Sequence, residues 1–178
     1  MNAYSTKKLA LNGLMIALVF LATYFTRIPE PIPPGYVNIG DAAIILAAVL
    51  LGKKSGFISG AIGSCIADLV SGAFIYAPVT FIVKGLEGLV IGIIAYRTGK
   101  MSSFGPRRII GVIVGVLIMV AGYFAAEFLV LGLFDRTFGL TAAIANLPPN
   151  LVQAGISAVV GYLMAGALEK INVPRLAD

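Results

Sequence analysis

ADLVSGAFIYAPVTFIVKGLEG, residues 67–88, sets Asp68, Lys84 and Glu87 within a run that otherwise has the composition of lipid-embedded helix. A carboxylate or ammonium in hydrocarbon is costly unless it is paired, wetted or protonated, so such residues mark either a functional site or an ion pair that joins two helices. Which of the two applies depends on whether the rest of the chain brings polar groups to the same depth.

The chain of 178 residues is 59% hydrophobic and 12% charged, a balance outside the range of soluble domains, and it reads as an integral membrane protein. At roughly 20 apolar residues per span, the length fits a single domain over residues 1–178, a compact all-α bundle of six transmembrane helices with short loops. Cys65 is the single cysteine and lies in the apolar run AIGSCIADLV, without a disulfide partner or a second soft metal ligand, so it reads as packing. Histidine is absent, which removes the usual general base, proton relay and metal ligand. No cofactor and no metal are expected.

Leu9 to Phe25 forms the first apolar run. No small-x-small site precedes the polar segment that follows, so it reads as an uncleaved helix. Ala10, Gly13 and Ala17 share one side of it at i, i+3 and i+7, spacing that lets another helix approach closely. RIPEPIPPGYVNIGD, from Arg27 to Asp41, carries Pro29, Pro31, Pro33 and Pro34 and reads as a stiff loop. Ala42 to Leu51 is a short span, GKKSG a turn, and Phe57 to Val70 the third span. The Gly-Lys pair at Gly52 is not a phosphate loop, which needs glycine in place of Ala47 and Ser or Thr in place of Lys54. Pro78 suits the first turn of a fourth span running to Tyr96. Ile109 to Phe134 reads as the fifth span, Asp135 to Pro149 as a long connection, and Leu151 to Leu168 as the sixth.

The short connections set the orientation. With both termini in the cytoplasm, the inner side collects Lys7, Lys8, Lys53, Lys54, Arg97, Lys100, Arg107, Arg108, Lys170 and Arg175, whereas the outer loops hold Arg27 and Arg136. Ten against two favours six spans, and the basic balance then reports topology and needs no nucleic-acid partner.

Helix rise places Lys84 and Glu87 roughly 9–14 Å below the outer end of span four, with Asp68 near the outer end of span three. Glu127 precedes the outer end of span five, Tyr123 lies one turn deeper on the same face, and Asn150 and Gln153 open span six. Polar side chains of four helices thus converge on one layer, which argues for a solvent-reached chamber rather than scattered structural pairs. Three carboxylates, one lysine, two amides and the rings of Tyr36, Tyr76 and Tyr123 suit a small polar, heteroaromatic ligand; each tyrosine reads equally as an interfacial anchor. Lys84 is expected to be shared between Glu87 and Asp68. Ala154, Ala158, Gly161 and Ala165 form a second strip of small residues, which could compete with the first helix as an interface.

GYVNIGDAAIILAAVLLG after the proline-rich loop, then ADLVSG, YAPVTFIVKGLEG, AGYFAAEFL and NLPPNLVQ, resemble the substrate-binding S components of energy-coupling factor (ECF) vitamin transporters over nearly the whole chain. The similarity is to the six-helix members for pyridoxine, hydroxymethylpyrimidine or thiamine-type substrates. It implies vitamin capture from outside, in the bacterial plasma membrane, with loops one, three and five closing the pocket. It also implies partners: a membrane coupling subunit and two ATP-binding subunits. By resemblance, Glu87 and Asn150 contact ligand, and Gly13 with Ala17 stands where the family docks its coupling subunit through an Ala-x-x-x-Ala face. The tryptophan and histidine used by thiamine binders are missing, which points to a smaller pyridine or pyrimidine. The alternative is a self-sufficient ion-coupled carrier or facilitator, whose intramembrane acids would be coupling sites. An enzyme is disfavoured, because no nucleophile stands beside a base.

Overall fold

A computed structural model describes residues 3–29, 36–96 and 105–170. The expectations placed on Pro31, Pro33, Pro34, Arg97, Lys100 and Arg175 lie outside these residues. Six α-helices build the described bundle: α1 (Ala3–Phe25), α2 (Gly40–Leu51), α3 (Lys53–Ser71), α4 (Ala77–Ala95), α5 (Pro106–Leu129) and α6 (Leu140–Lys170), with a short 3-10 turn at Leu131–Leu133. Four stretches within it, Thr6–Phe25, Ala77–Ala95, Pro106–Leu133 and Leu140–Glu169, are long and apolar enough to cross a membrane. The protein is an all-α membrane protein.

α2 is the axis of the molecule. Nearly every one of its residues is buried, because α1, α3, α4 and α6 all pack around it. With 12 residues it is about 18 Å long, shorter than a hydrocarbon core of about 30 Å. Its N-terminus is therefore sunk within the bundle and carries Asp41 there, in a first turn where the helix dipole favours a carboxylate. The turn expected at GKKSG shrinks to Gly52, whose φ of +88° is open to glycine at little cost, and α3 begins immediately at Lys53.

α3 and α4 meet backbone to backbone. A Cβ on Gly88 would overlap the carbonyl oxygen of Gly56, and one on Gly60 would overlap that of Lys84. Close approach of this kind is what small residues permit between helices in a membrane, and it fixes the height of Lys84 and Glu87 relative to α3.

The sixth span departs from expectation. α6 begins at Leu140, not Leu151, and runs through Pro148 and Pro149, so the preceding connection is shorter than Asp135 to Pro149. Proline removes two backbone donors there, which membrane helices tolerate when neighbouring groups re-satisfy the freed carbonyls. The strip of Ala154, Ala158, Gly161 and Ala165 is not an open interface: a Cβ on Gly161 would run into Ile45 of α2, and Ala154, Gly161 and Ala165 are buried. Ala10, Gly13 and Ala17 on α1 are exposed instead, and nothing lies within 4 Å of a Cβ placed on Gly13.

Loop one is pinned by an antiparallel pairing of β1 (Ile28–Pro29) with β2 (Tyr36–Val37), in the register Ile28 to Val37 and Pro29 to Tyr36. The opposite end of the bundle is closed by a buried ion pair, in which the Arg108 guanidinium of α5 donates to Glu169 of α6 and lies 5.8 Å from the centre of the Tyr162 ring. Arg108 is therefore a packed residue, held by its partner at this end of the bundle.

Candidate ligand-binding site

A chamber lies at the loop-one end of the bundle. α1 supplies Thr23 to its wall, loop one Tyr36 and Asn38, and α3 Asp68. Tyr76, Thr80 and Lys84 line it from the start of α4 and the turn before, Tyr123 and Glu127 from α5, and Asn150 and Gln153 from α6. Eight of the nine residues expected to form the site are thus brought together. Glu87 is the exception: it is fully buried beside Lys84 and does not reach the wall.

The floor is a charge cluster that sequence reasoning had only in part. Lys84 Nζ donates to Asp41 Oδ1, and Glu87 Oε2 lies 3.6 Å from the same nitrogen. The expected sharing of Lys84 with Asp68 is replaced by this pairing with Asp41, which had been read as the end of a loop. Asp41 Oδ2 accepts from Gln153 Nε2 at 2.7 Å, and Gln153 Oε1 accepts from the Asn38 backbone N–H at 2.8 Å. One chain of contacts therefore runs from Lys84 through Asp41 and Gln153 to loop one, and it holds both ends of the Gln153 amide. Asn38 completes the anchor by accepting from the Gly40 N–H through Oδ1 at 2.8 Å.

The walls carry two further carboxylates. Asp68 accepts from the Tyr36 hydroxyl. Burial, with Asp68 alongside, pushes that hydroxyl above the usual tyrosine range, so Tyr36 stays protonated and donates. Gly72, at φ +79°, ends α3 in the left-handed conformation and turns the chain so that Tyr76 re-enters the chamber. Tyr76 Oη donates to Glu127 Oε1 at 2.8 Å, and Asn146 Nδ2 donates to the same oxygen at 3.1 Å. The Tyr123 and Thr80 hydroxyls are 3.0 Å apart. The segment after α5 folds back over this wall, with the Gly139 N–H donating to the Glu127 carbonyl at 3.1 Å and the Phe138 ring 5.5 Å from that of Tyr76.

Several atoms in and around this chamber are buried without a hydrogen-bond partner, including Thr23 Oγ1, Glu127 Oε2 and Asn146 Oδ1. Such groups carry a desolvation cost until water or a ligand meets them, which is the state expected of a binding site. Thr23, Asn38, Asp41, Thr80 and Asn146 were not foreseen. Asp41 and Asn146 had a signal, since each borders an apolar run; the other three are small polar residues whose position alone makes them wall. Among the described residues no group of His, Cys, Asp and Glu side chains could hold a metal ion.

A bundle of apolar helices around a buried polar chamber defines a membrane protein that binds a small solute. The chain matches the model of the family described as "ECF-type riboflavin transporter, S component" over residues 3–170, and it belongs to that family. It is a transport subunit of the vitamin type, multi-pass in the plasma membrane, in a family of transporters and not of enzymes. A relative from Lactococcus lactis subsp. cremoris, "Thiamine precursor transporter HmpT", is 27% identical over 174 residues, covering 97% of this chain and 94% of its own. An uncharacterized protein of Pyrococcus woesei is 33% identical over 158 residues, covering 89% and 96%. A UPF0397 protein of Streptococcus agalactiae is 34% identical over 98 residues, about half of each chain.

Proposed function

We propose that this chain captures a small, water-soluble vitamin precursor of the hydroxymethylpyrimidine or pyridoxine class from outside the cell and hands it to the cytoplasm together with a membrane coupling subunit and two ATP-binding subunits. The observation that carries this reading is the lining of the chamber: carboxylates, amides and tyrosine rings from five parts of the chain face one space, the donor and acceptor set that a small polar heteroaromatic ring calls for. The end-to-end similarity to a thiamine precursor transporter supports the same substrate class. Asn150 meets the ligand directly from the wall, whereas Glu87 acts from beneath, through Lys84. Ala10, Gly13 and Ala17 form the docking face for the coupling subunit, and their exposure supports it.

Calorimetric titration of the detergent-solubilised chain is expected to show tight binding of hydroxymethylpyrimidine or pyridoxine, and mass spectrometry of the freshly purified protein to find such a molecule. Riboflavin is the second reading, favoured by the description of the matching family. Quenching of flavin fluorescence on mixing, with no heat from either smaller ring, would replace the first reading with it. Vesicles holding this chain alone should not accumulate ligand; accumulation driven by an ion gradient would establish the self-sufficient carrier instead.

In this reading the chain crosses the membrane six times, α2 covering only part of its crossing, with both termini and residues 97–108 in the cytoplasm and loop one outside. Ten basic residues against two in the connections support that orientation. A cysteine introduced at Ile32 is expected to react with an impermeant reagent added from outside, and one at Ser103 to be protected. The reverse pattern would invert the topology.

A further inference from the structure

The charges around the chamber do not balance. Asp41, Asp68, Glu87 and Glu127 converge on its walls and floor, and Lys84 is the lysine that meets them. That lysine is committed to Asp41 and Glu87. Asp68 has the Tyr36 hydroxyl and, across the Tyr36 ring at 5.5 Å, the Arg27 guanidinium. Glu127 differs from all of these. It is 2% exposed, it lines the chamber, and its two hydrogen-bond donors, Tyr76 and Asn146, are both neutral. Its second oxygen has no partner, and no lysine or arginine pairs with it among the described residues.

A buried carboxylate without a counter-charge is expensive, and a ligand that brings the charge removes that cost. The surroundings favour an organic cation over a metal ion. The rings of Tyr76 and Tyr123 line the same wall with centroids 6.2 Å apart and planes at 63°, so two aromatic rings stand beside the carboxylate, and the Tyr123 ring already takes a cation, with Lys84 Nζ 5.4 Å from its centre. Aromatic faces attract a desolvated ammonium or protonated heteroaromatic ring. The Tyr76 and Asn146 bonds to Oε1 hold Glu127 in place and leave Oε2 buried without a donor.

We propose that the chamber takes its ligand as a cation, with a positively charged nitrogen seated between Glu127 and the rings of Tyr76 and Tyr123. This deepens the proposed function and rests on its placing of the ligand in this chamber. Glu127 is then the counter-ion that selects charge, and Asn150 reads the rest of the molecule.

The test compares two probes that differ in one group, the 5-aminomethyl and 5-hydroxymethyl forms of 4-amino-2-methylpyrimidine, titrated at neutral pH into the full chain and its Glu127→Gln variant. The aminomethyl probe is expected to bind about tenfold or more tighter to the parent protein, as for a charged hydrogen bond, and Glu127→Gln to erase the difference while leaving the hydroxymethyl probe within a few-fold. Equal affinities in the parent, or an amine preference that survives Glu127→Gln, would overturn the proposal. If Glu127→Gln does not fold, Tyr123→Leu serves in its place: a loss confined to the amine supports the corner, and an equal loss of both probes overturns it. If neither pyrimidine binds, the pyrimidine reading of the function fails, and benzylamine against benzyl alcohol then decides the corner. Amine-selective binding lost in Glu127→Gln supports it, and equal or no binding sinks it.

Discussion

Asp41→Ala is expected to lower the melting temperature by roughly 6–20 °C and to lose ligand capture in the same variant. Asp41 directly bonds Lys84, which is 2% exposed, and also holds the Gln153 amide that anchors the Asn38 backbone of loop one. Removing one member of a buried pair leaves the other charge uncompensated and costs about 3–5 kcal/mol. For a chain of this size that corresponds to about 2–4 °C per kcal/mol. Glu87→Gln should be milder, because Lys84 keeps Asp41 as its closer partner. Asn150→Ala should behave differently again: it has a place on the wall and is expected to lose about tenfold in affinity with an unchanged melting temperature. Thermal unfolding in detergent and titration with hydroxymethylpyrimidine or pyridoxine, the proposed ligands, separate the three. An Asp41→Ala protein that melts within about a degree of the parent would mean that Glu87 alone satisfies Lys84, and that the floor is not organised around Asp41.

Leucine at Gly88 and leucine at Gly13 should have opposite outcomes. At Gly88 even the first added carbon overlaps the Gly56 carbonyl oxygen, a backbone atom that no rotamer change can move aside. Overpacking commonly costs about 1–3 kcal/mol and more where backbones must separate, so Gly88→Leu is expected to aggregate or fail to insert. Gly13 faces outward with nothing within 4 Å of its would-be Cβ, and leucine is also the better helix former there. Gly13→Leu should therefore fold and bind ligand like the parent, while uptake by cells that carry the coupling subunits is lost. Size-exclusion of the detergent extract reads folding, and radiolabelled uptake reads docking. A Gly13→Leu protein that transports normally would remove this face from the coupling interface, and a well-folded Gly88→Leu would contradict the α3–α4 contact.

The membrane class and the polar residues of the chamber were legible in the sequence for one physical reason. Hydrocarbon penalises an unpaired charge whatever its eventual partner, so Asp68, Lys84 and Glu127 stand out from an apolar background before any contact is known. Their meeting at one chamber was foreseeable as well, because helix rise converts sequence position into depth. Partnership was not. Asp41 lies 43 residues from Lys84, next to a proline-rich loop, and only the sinking of short α2 into the centre of the bundle carries it to the lysine. Glu87 looked like chamber floor by depth, yet its own neighbour Lys84 stands between it and the wall. The double proline looked like a helix boundary, and neighbouring structure let α6 run through it. The two strips of small residues, on α1 and α6, both recur at three- and four-residue steps and have opposite fates: α6 closes on Ile45 of α2, while α1 is left open along Gly13. Periodicity tells which side of a helix is small or polar; what that side faces depends on how every other helix packs, and only the tertiary structure decides it.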